Sequence, residues 1–174
     1  ESLLETVLAA DRERAKALAD LEAAEAAGDA EAIGPIHALL SDIDAHSAPA
    51  RAAGILAGLG FGQDEMSRPC ASFSGGWRMR VALAASLFRR PDILLLDEPS
   101  NHLDFEAAAW LEAHLARFSG TLVLVSHDRE MLDKLADRVI HLEDGRLSDY
   151  RGNYSTFERT VAEIDELGLR ETPR

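Results

Sequence analysis

Two adjacent carboxylates, Asp97 and Glu98, directly follow a short apolar run at residues 93–96. Such a run predicts a buried strand, and acids at its carboxyl end would lie at the sheet edge where α/β folds bind ligands. Successive side chains on an extended chain point in opposite directions, so we expect the two acids to have different roles. Asp97 is suited to hold Mg²⁺ through its waters, and Glu98 to polarise a water that attacks a phosphate. The alternative is an ordinary acidic turn after a strand.

A histidine, His127, follows a second apolar run at residues 122–125 and lies 29 positions after Glu98. Neighbouring parallel strands end at the same sheet edge, so we expect His127 close to Glu98. A histidine in that place can hydrogen-bond a phosphate oxygen or the attacking water. Taken alone, His127 would be read as a surface residue; paired with the acidic strand end, it indicates catalysis.

A third motif consists of Ser74, Gly75 and Gly76, which precede a helical pattern beginning near Trp77. Small residues at a helix N-terminus expose backbone N–H groups at the positive end of the helix dipole, and this predicts an anion site. The alternative is a simple capped helix after a flexible turn.

The charge distribution is uneven around this third motif. The net charge of -13 argues against a general nucleic-acid-binding surface. Residues 66–90 nevertheless contain no acid and five arginines: Arg68, Arg78, Arg80, Arg89 and Arg90. Anions are the natural partners of such a basic segment, and pairing of the arginines with neighbouring acids is an equal alternative.

The elements that would position these motifs divide into a helical first third and an α/β remainder. The sequence of the first third predicts an acidic helix over residues 1–27, closed by Gly28-Asp29, which offers a cap for the next segment. A second helix is predicted through Ile36 to Ile43, with Gly34-Pro35 near its start, where a proline is well placed only in the first turn. A third is predicted over 49–59. The first of these has a thin apolar stripe of Leu4, Val7, Leu8, Leu18 and Leu21.

The sequence pattern of the α/β remainder predicts a βαβ unit. The apolar runs at 93–96 and 122–125 predict two strands of a parallel sheet that is covered on both faces. The crossover between them should be right-handed. Asp104 is placed to cap the connecting helix, whose inner face carries Trp110, Leu111, Leu115 and Phe118. Then follow a predicted helix at 131–135, a strand at 139–142, a turn at 144–145 into residues 146–150, and a helix from Tyr154.

The order and spacing of these motifs closely resemble the ATP-binding-cassette ATPase family over about residues 50–157. The resemblance implies that Ser74, Gly75 and Gly76 are the signature that contacts the γ-phosphate of ATP held by an opposite cassette. It implies that Asp97 is the magnesium-site aspartate and Glu98 the catalytic glutamate. Residues 100–104, ending at Asp104, would communicate between the two ATP sites. His127 corresponds to the switch histidine, with a catalytic and nucleotide-contacting role.

Further residues are similar to the ABC-F proteins. These are Trp77-Arg78-Met79-Arg80 after the two glycines, where transporter cassettes usually have glutamine, the run Glu-Pro-Ser-Asn-His-Leu-Asp at 98–104, and Tyr-Arg-Gly-Asn-Tyr-Ser at 150–155. ABC-F proteins are soluble tandem-cassette ATPases of translation. The resemblance therefore implies a cytoplasmic protein whose partners are ATP, Mg²⁺, a second cassette of the same polypeptide and the ribosome, with no membrane partner.

The fold expected on this basis is α/β, a partial P-loop NTPase (ABC ATPase) domain with a parallel sheet core and an α-helical subdomain. Residues 1–90 would form the helical subdomain with the signature helix, and 91–157 the α/β core. Residues 158–174 would be the start of a linker or a divergent tail, although their charge is acidic where the ABC-F linker is basic.

One motif of a complete cassette is missing from the sequence, the phosphate loop Gly-x-x-x-x-Gly-Lys-Ser/Thr. The two lysines, Lys16 and Lys134, lack glycines at the required positions. The chain is therefore expected to be the C-terminal part of a first cassette, to bind ATP weakly or not at all by itself, and not to turn it over. A transporter's nucleotide-binding subunit and a non-catalytic module that supplies its signature in trans are the alternatives. A single cysteine, Cys70, excludes an internal disulfide and suits a reducing compartment.

Overall fold

The computed structural model of the chain describes residues 1–166. Its helices are α1 (Leu3–Leu8), α2 (Arg12–Ala27), α3 (Ala30–Asp42), α4 (Ala48–Gly58), α5 (Gly75–Phe88), α6 (Phe105–Leu115), α7 (Arg129–Leu135) and α8 (Tyr154–Glu166). Its strands are β1 (Ile93–Asp97), β2 (Thr121–Val125), β3 (Arg138–Glu143) and β4 (Arg146–Arg151). Short 3-10 turns at Gln63–Glu65 and Cys70–Ser72 lead into α5. Among the described residues, no helix has both the length and the apolar character required to cross a bilayer.

The prediction of one helix over residues 1–27 is wrong, because the chain breaks between α1 and α2. Ser2 caps α1 through a capping box with Glu5. The Asp11 side chain then accepts a hydrogen bond from the backbone N–H of Arg14 at 3.0 Å and starts α2. A short acidic side chain that binds nearby backbone N–H groups favours a new helix start over continuation of the old one.

The predicted cap at Asp29 is confirmed, but Pro35 does not occupy the first turn, the position in which a proline is well placed. The Asp29 side chain accepts from the N–H of Ala32 at 3.2 Å, so α3 begins at Ala30. Pro35 therefore lies inside α3 and not in its first turn. A proline there removes one backbone hydrogen bond. The cap at Asp29 determines where α3 starts, and the helix continues through Pro35 despite that loss.

The predicted βαβ unit is confirmed in its pairing. Strands β1 and β2 are parallel, with Leu94 opposite Leu122 and Leu96 opposite Leu124, and α6 connects them. The Asp104 side chain caps α6 by accepting from the N–H of Ala107 at 2.9 Å. This unit brings the carboxyl ends of β1 and β2, and the motifs that follow them, to one edge.

The last two strands form a separate antiparallel hairpin in the part of the chain that the structure describes. Its turn is the predicted pair Asp144 and Gly145, both with positive φ (49° and 74°). Helix α8 packs its buried Phe157 against Tyr150 of this hairpin, with ring centroids 5.1 Å apart.

The sheet differs from the prediction that both of its faces are covered. Leu94 and Leu96 are buried, but Leu95 is 72% exposed and Val125 56% exposed. The alternation of side chains along a strand assigns these two sets to opposite faces. Helices of residues 1–166 cover one face, and the other is left apolar and open.

The core lies between the covered face of the sheet and the helices. One cluster contains side chains from both sides of the predicted boundary at residues 90 and 91, among them Leu56, Phe88, Leu94 and Leu111. A second, small cluster holds α2 against α3 through Ala17, Leu40 and Ala45. Helix α5 thus shares its buried surface with the strand that ends in Asp97.

Two glycines of α4 should respond in opposite ways to substitution by alanine. A Cβ atom on Gly58 would overlap the indole ring of Trp110, whereas one on Gly54 meets nothing within 4 Å. We expect Gly58→Ala to destabilise the chain by about 1–3 kcal/mol through overpacking. We expect Gly54→Ala to stabilise it by about 0.4–1 kcal/mol because the unfolded chain loses freedom. Urea denaturation of both variants checks this, and equal shifts in midpoint would contradict it.

Candidate functional site

Glu98 is the most constrained of the candidate residues. Its backbone has a positive φ of 46° and its N–H donates to the carbonyl of Val125 at 2.8 Å. Its side chain is 20% exposed. The oxygen Oε1 is buried and makes no hydrogen bond within the described chain. A buried carboxylate oxygen without a donor, on a residue with a strained backbone, is characteristic of a functional site.

His127 lies beside this oxygen. Its Nε2 is 3.5 Å from Oε1 of Glu98, longer than an ordinary N–H···O hydrogen bond, and the oxygen has no hydrogen-bond partner among the described residues. The imidazole is 98% exposed. The backbone around it is held, because Ser126 Oγ accepts from the N–H of Asp128 at 3.0 Å and Asp128 caps α7. The structure thus brings the two predicted catalytic side chains together at the carboxyl ends of β1 and β2.

Asp97 ends β1 on the open face, with its neighbours Ile93 and Leu95. It makes no ion pair with any other described residue, so its carboxylate is free. Within residues 1–166, no group of three or more His, Cys, Asp or Glu side chains converges as a metal site. One free carboxylate nevertheless fits Mg²⁺, which keeps several waters and takes one or two protein carboxylates.

Residues 74–76 start α5, as the sequence predicts, and they do so without a side-chain cap. Ser74 is the N-cap residue, and its hydroxyl makes no capping hydrogen bond. A Cβ on Gly75 would meet nothing within 4 Å, so this N-terminus is open to solvent. No hydrogen bond or ion pair of the described residues connects Ser74, Gly75 or Gly76 to Asp97, Glu98 or His127. The open N-terminus favours the anion site over the capped-turn alternative.

The five arginines of residues 66–90 do not form one basic surface. Arg68 lies 3.6 Å from Glu65 and over the ring of Phe73. Arg80 pairs with Asp104 at 3.0 Å. Arg78, Arg89 and Arg90 make no ion pair within the described part of the chain. Pairing with neighbouring acids therefore applies to Arg68 and Arg80, and anion binding by the other three stays a prediction.

The sequence did not identify Arg80 as a site residue, yet it lies at the centre of the site's supporting contacts. It lines a cavity of about 200 Å³ between α5 and the loop after β1, together with Glu98, His102 and Leu103. Its partner Asp104 uses one oxygen to cap α6 and the other to bind Arg80. No pattern within the helix could indicate that Arg80 binds Asp104, because the two residues are 24 positions apart in the sequence.

These two contacts predict a pH dependence. The N–H of Ala107 and then the guanidinium of Arg80 hold the pKa of Asp104 below its ordinary value of 3.8. A lowered folded-state pKa means that the stabilisation is present at neutral pH and is lost as the pH falls through that lowered value. We expect Asp104→Asn to be less stable than the parent at pH 7, and the difference to shrink below about pH 3.8. Urea denaturation of both proteins at several pH values measures it.

Asp92→Asn is the matched control, because Asp92 is exposed and its side chain makes no hydrogen bond or ion pair in the described chain. Its stability should follow the parent at every pH. A constant gap between parent and Asp104→Asn down to pH 2 would contradict the assignment.

The family described as ABC transporter matches residues 8–101 of the chain. The Probable ATP-binding protein YheS of Escherichia coli (strain K12) is 49% identical over 158 residues, which are 91% of this chain and 25% of that protein. The human ATP-binding cassette sub-family F member 3 is 48% identical over 168 residues, 92% of this chain and 24% of that protein. The chain thus spans about a quarter of the length of these relatives.

A solved structure shares the fold as well. It is the complex of the archaeal ribosomal stalk protein aP1 with the archaeal ribosome recycling factor aABCE1. Its matching chain is 34% identical to this one with a TM-score of 0.51, and the match covers 63% of this chain and 23% of that chain.

Proposed function

The chain belongs to the ABC-F subfamily of ATP-binding-cassette proteins, and on that premise we propose that it supplies catalytic residues to an ATPase that acts on the ribosome. The observation that carries the proposal is the buried, unsatisfied Oε1 of Glu98 beside His127 Nε2. An acceptor held without a donor is suited to bind and polarise a water molecule, which then attacks the terminal phosphate of ATP.

The other residues divide the remaining work. His127, exposed and 3.5 Å from Glu98, can donate to a phosphate oxygen and hold the water's orientation. The N-terminus of α5 at Ser74 to Gly76 offers N–H groups to the γ-phosphate of a nucleotide held by a second cassette of the same polypeptide. Mg²⁺, bound through waters at Asp97, would neutralise charge that develops on the phosphates. Asp104 supports the site by capping α6 and binding Arg80. In the family, the loop that ends at this residue communicates between the two ATP sites, and we assign the same role to residues 100–104 here.

The chain by itself should not turn over ATP, because its sequence lacks the phosphate loop and the lysine that reaches the β- and γ-phosphates. The ribosome as partner rests on the resemblance to the ABC-F proteins and is supported by the archaeal ribosome recycling factor, whose solved structure is similar. An intracellular, cytoplasmic location goes with that partner.

The test compares the 174-residue chain with a full-length protein that contains it. Phosphate release from Mg²⁺–ATP is measured for both, and the full-length protein is pelleted with purified ribosomes in ATP and in ADP. We expect turnover only in the full-length protein and nucleotide-dependent pelleting with ribosomes. If the 174-residue chain hydrolyses ATP and Glu98→Gln abolishes that activity, the prediction that the chain is inactive by itself is wrong. Absence of pelleting in both nucleotides would overturn the ribosomal role, and equal pelleting in ATP and in ADP would overturn its coupling to ATP hydrolysis.

A further inference from the structure

Arg80 lies in the middle of α5, six residues after Ser74, and its side chain is only 11% exposed. Its Nε donates to the carbonyl of His102 at 2.8 Å. Its Nη1 donates to the carbonyl of Leu59 at 3.1 Å and to Oδ2 of Asp104 at 3.0 Å. One side chain therefore joins three segments: the end of α4, the loop after Glu98, and the cap of α6.

The contacts require a guanidinium and not merely a positive charge. Arginine presents several N–H donors in a planar fork, whereas lysine has one nitrogen, which cannot occupy the positions of both Nε and Nη1. The ring of Trp77 lies one turn earlier on the same helix, and the guanidinium carbon packs over it at 4.4 Å from the ring centroid. We refer to Arg80 with its acceptors on Leu59, His102 and Asp104 as the Arg80 clamp.

Gly60 provides the space that the clamp occupies. Its φ is +93°, and a Cβ atom there would lie 2.9 Å from Nη1 of Arg80 and 3.6 Å from Oδ2 of Asp104. A side chain at this position would be too close to Nη1, so the guanidinium could not keep its present place. Glycine is needed both for the backbone angle and for this close approach.

The loop that the clamp holds is strained. Glu98 has a φ of 46° and His102 a φ of 143°, two non-glycine residues at positive φ within five positions. The hydrogen bonds inside the loop are local, from Asn101 N to Glu98 O and from Leu103 N to Ser100 O. Such angles persist only when the surroundings over-determine them. Two constraints come from outside the loop: the bond from the N–H of Glu98 to the carbonyl of Val125 at its start, and the bond from Arg80 to the carbonyl of His102 near its end.

We propose that Arg80 is a positioning residue that couples the N-terminus of α5 to the loop carrying Glu98, so that the anion site and the catalytic carboxylate move as one unit. The inference deepens the proposed function and rests on it for the reaction. Helix α5 is continuous from Gly75 to Phe88, so a displacement at Ser74 reaches Arg80 through rigid backbone. The clamp then passes that displacement to His102 and the strained loop.

The first test needs no nucleotide. Amide hydrogen exchange is measured in the 174-residue chain for the parent, Arg80→Ala and Arg89→Ala. Arg89 is exposed at the end of the same helix and makes no side-chain bond in the described chain, so it is the matched control. We expect Arg80→Ala to speed exchange of the amides at 101–103 by about 10- to 100-fold, the effect of losing bonds to a charged group. Amides of the β3–β4 hairpin should be unchanged.

Unchanged exchange at 101–103 would overturn the clamp. Equal acceleration across the whole chain would overturn it as well, since Arg80 would then only stabilise the fold. Arg80→Lys, which keeps the charge and the alkyl stem, guards against a variant that does not fold. It should lie between the parent and Arg80→Ala.

The second test is the ATPase activity of a full-length protein that contains the chain. We expect Arg80→Ala to lower kcat at least about tenfold with little change in KM, because the carboxylate is misplaced and nucleotide binding is not. Gly60→Ala, which keeps the arginine but displaces it, should reproduce this loss, and Arg80→Lys should recover part of it. Parent-like kcat in both Arg80→Ala and Gly60→Ala would overturn the proposal. Absence of any activity in the parent would instead refute the proposed function and leave the exchange result standing.

Discussion

Glu98→Gln is expected to lower kcat for ATP hydrolysis by a full-length protein containing the chain about 10²- to 10⁴-fold, the range contributed by general acid–base groups. Glutamine keeps the size of the side chain but loses the negative charge that polarises a water. The change also removes the charge 3.5 Å from Nε2 of His127. ATP binding should persist, since the contacts that hold the nucleotide are elsewhere. Phosphate release and equilibrium binding of ATP, measured on the same preparation, separate the two effects.

Glu106→Gln is the matched control for this result. Glu106 is an exposed glutamate in the first turn of α6 whose side chain makes no hydrogen bond or ion pair in the described chain. It should retain the parent's kcat. If Glu98→Gln retains more than about a tenth of the parent's kcat, a loss below the general acid–base range, Glu98 is not the catalytic base.

Phe88→Ala is expected to have the largest effect on stability, about 3–5 kcal/mol. Phe88 is 1% exposed at the end of α5, in the core cluster that joins the helices to β1. Truncation leaves a cavity and removes the ring that lies 5.0 Å from the guanidinium carbon of Arg51. Urea denaturation of the 174-residue chain measures the loss as a shift in midpoint at an unchanged slope.

Phe105→Ala is the matched control, because it removes the same side chain at a position where we expect no effect on stability. Phe105 is 87% exposed at the first position of α6. Its free energy of unfolding should stay within about 0.5 kcal/mol of the parent's. Similar losses in the two variants would show that Phe88 does not have the packing role the structure gives it.

Short-range patterns account for what the sequence predicted well. The apolar runs before Asp97 and Ser126 indicate strands, and the spacing between them accommodates one crossover helix, so the parallel pair β1–β2 is predictable. The cap at Asp104 and the helix start at Ser74 depend on neighbouring backbone groups only. The family follows from motif order, because residue type and spacing along the chain are what a family shares.

Where the predicted helices differ from the observed ones, the cause is local and is not recorded in the pattern of apolar residues. Asp11 binds a nearby N–H group and starts α2 where apolar periodicity indicated one continuous helix, whereas the cap at Asp29 was predicted and is confirmed. Pro35 is consequently inside α3. Periodicity describes which face is buried, but the cap determines where the helix begins.

The sequence by itself determined the chemistry that is available here: the pair Asp97 and Glu98, the histidine that follows the neighbouring strand, and an open helix N-terminus. Only the tertiary structure decided how Glu98 is held, with one oxygen buried and unsatisfied. It also assigned Arg80 to the carbonyls of Leu59 and His102, 21 and 22 residues away, and left one face of β1 and β2 open. These features depend on contacts between segments distant in sequence. Their geometry is set by the packing of whole elements, which no local pattern of residues records.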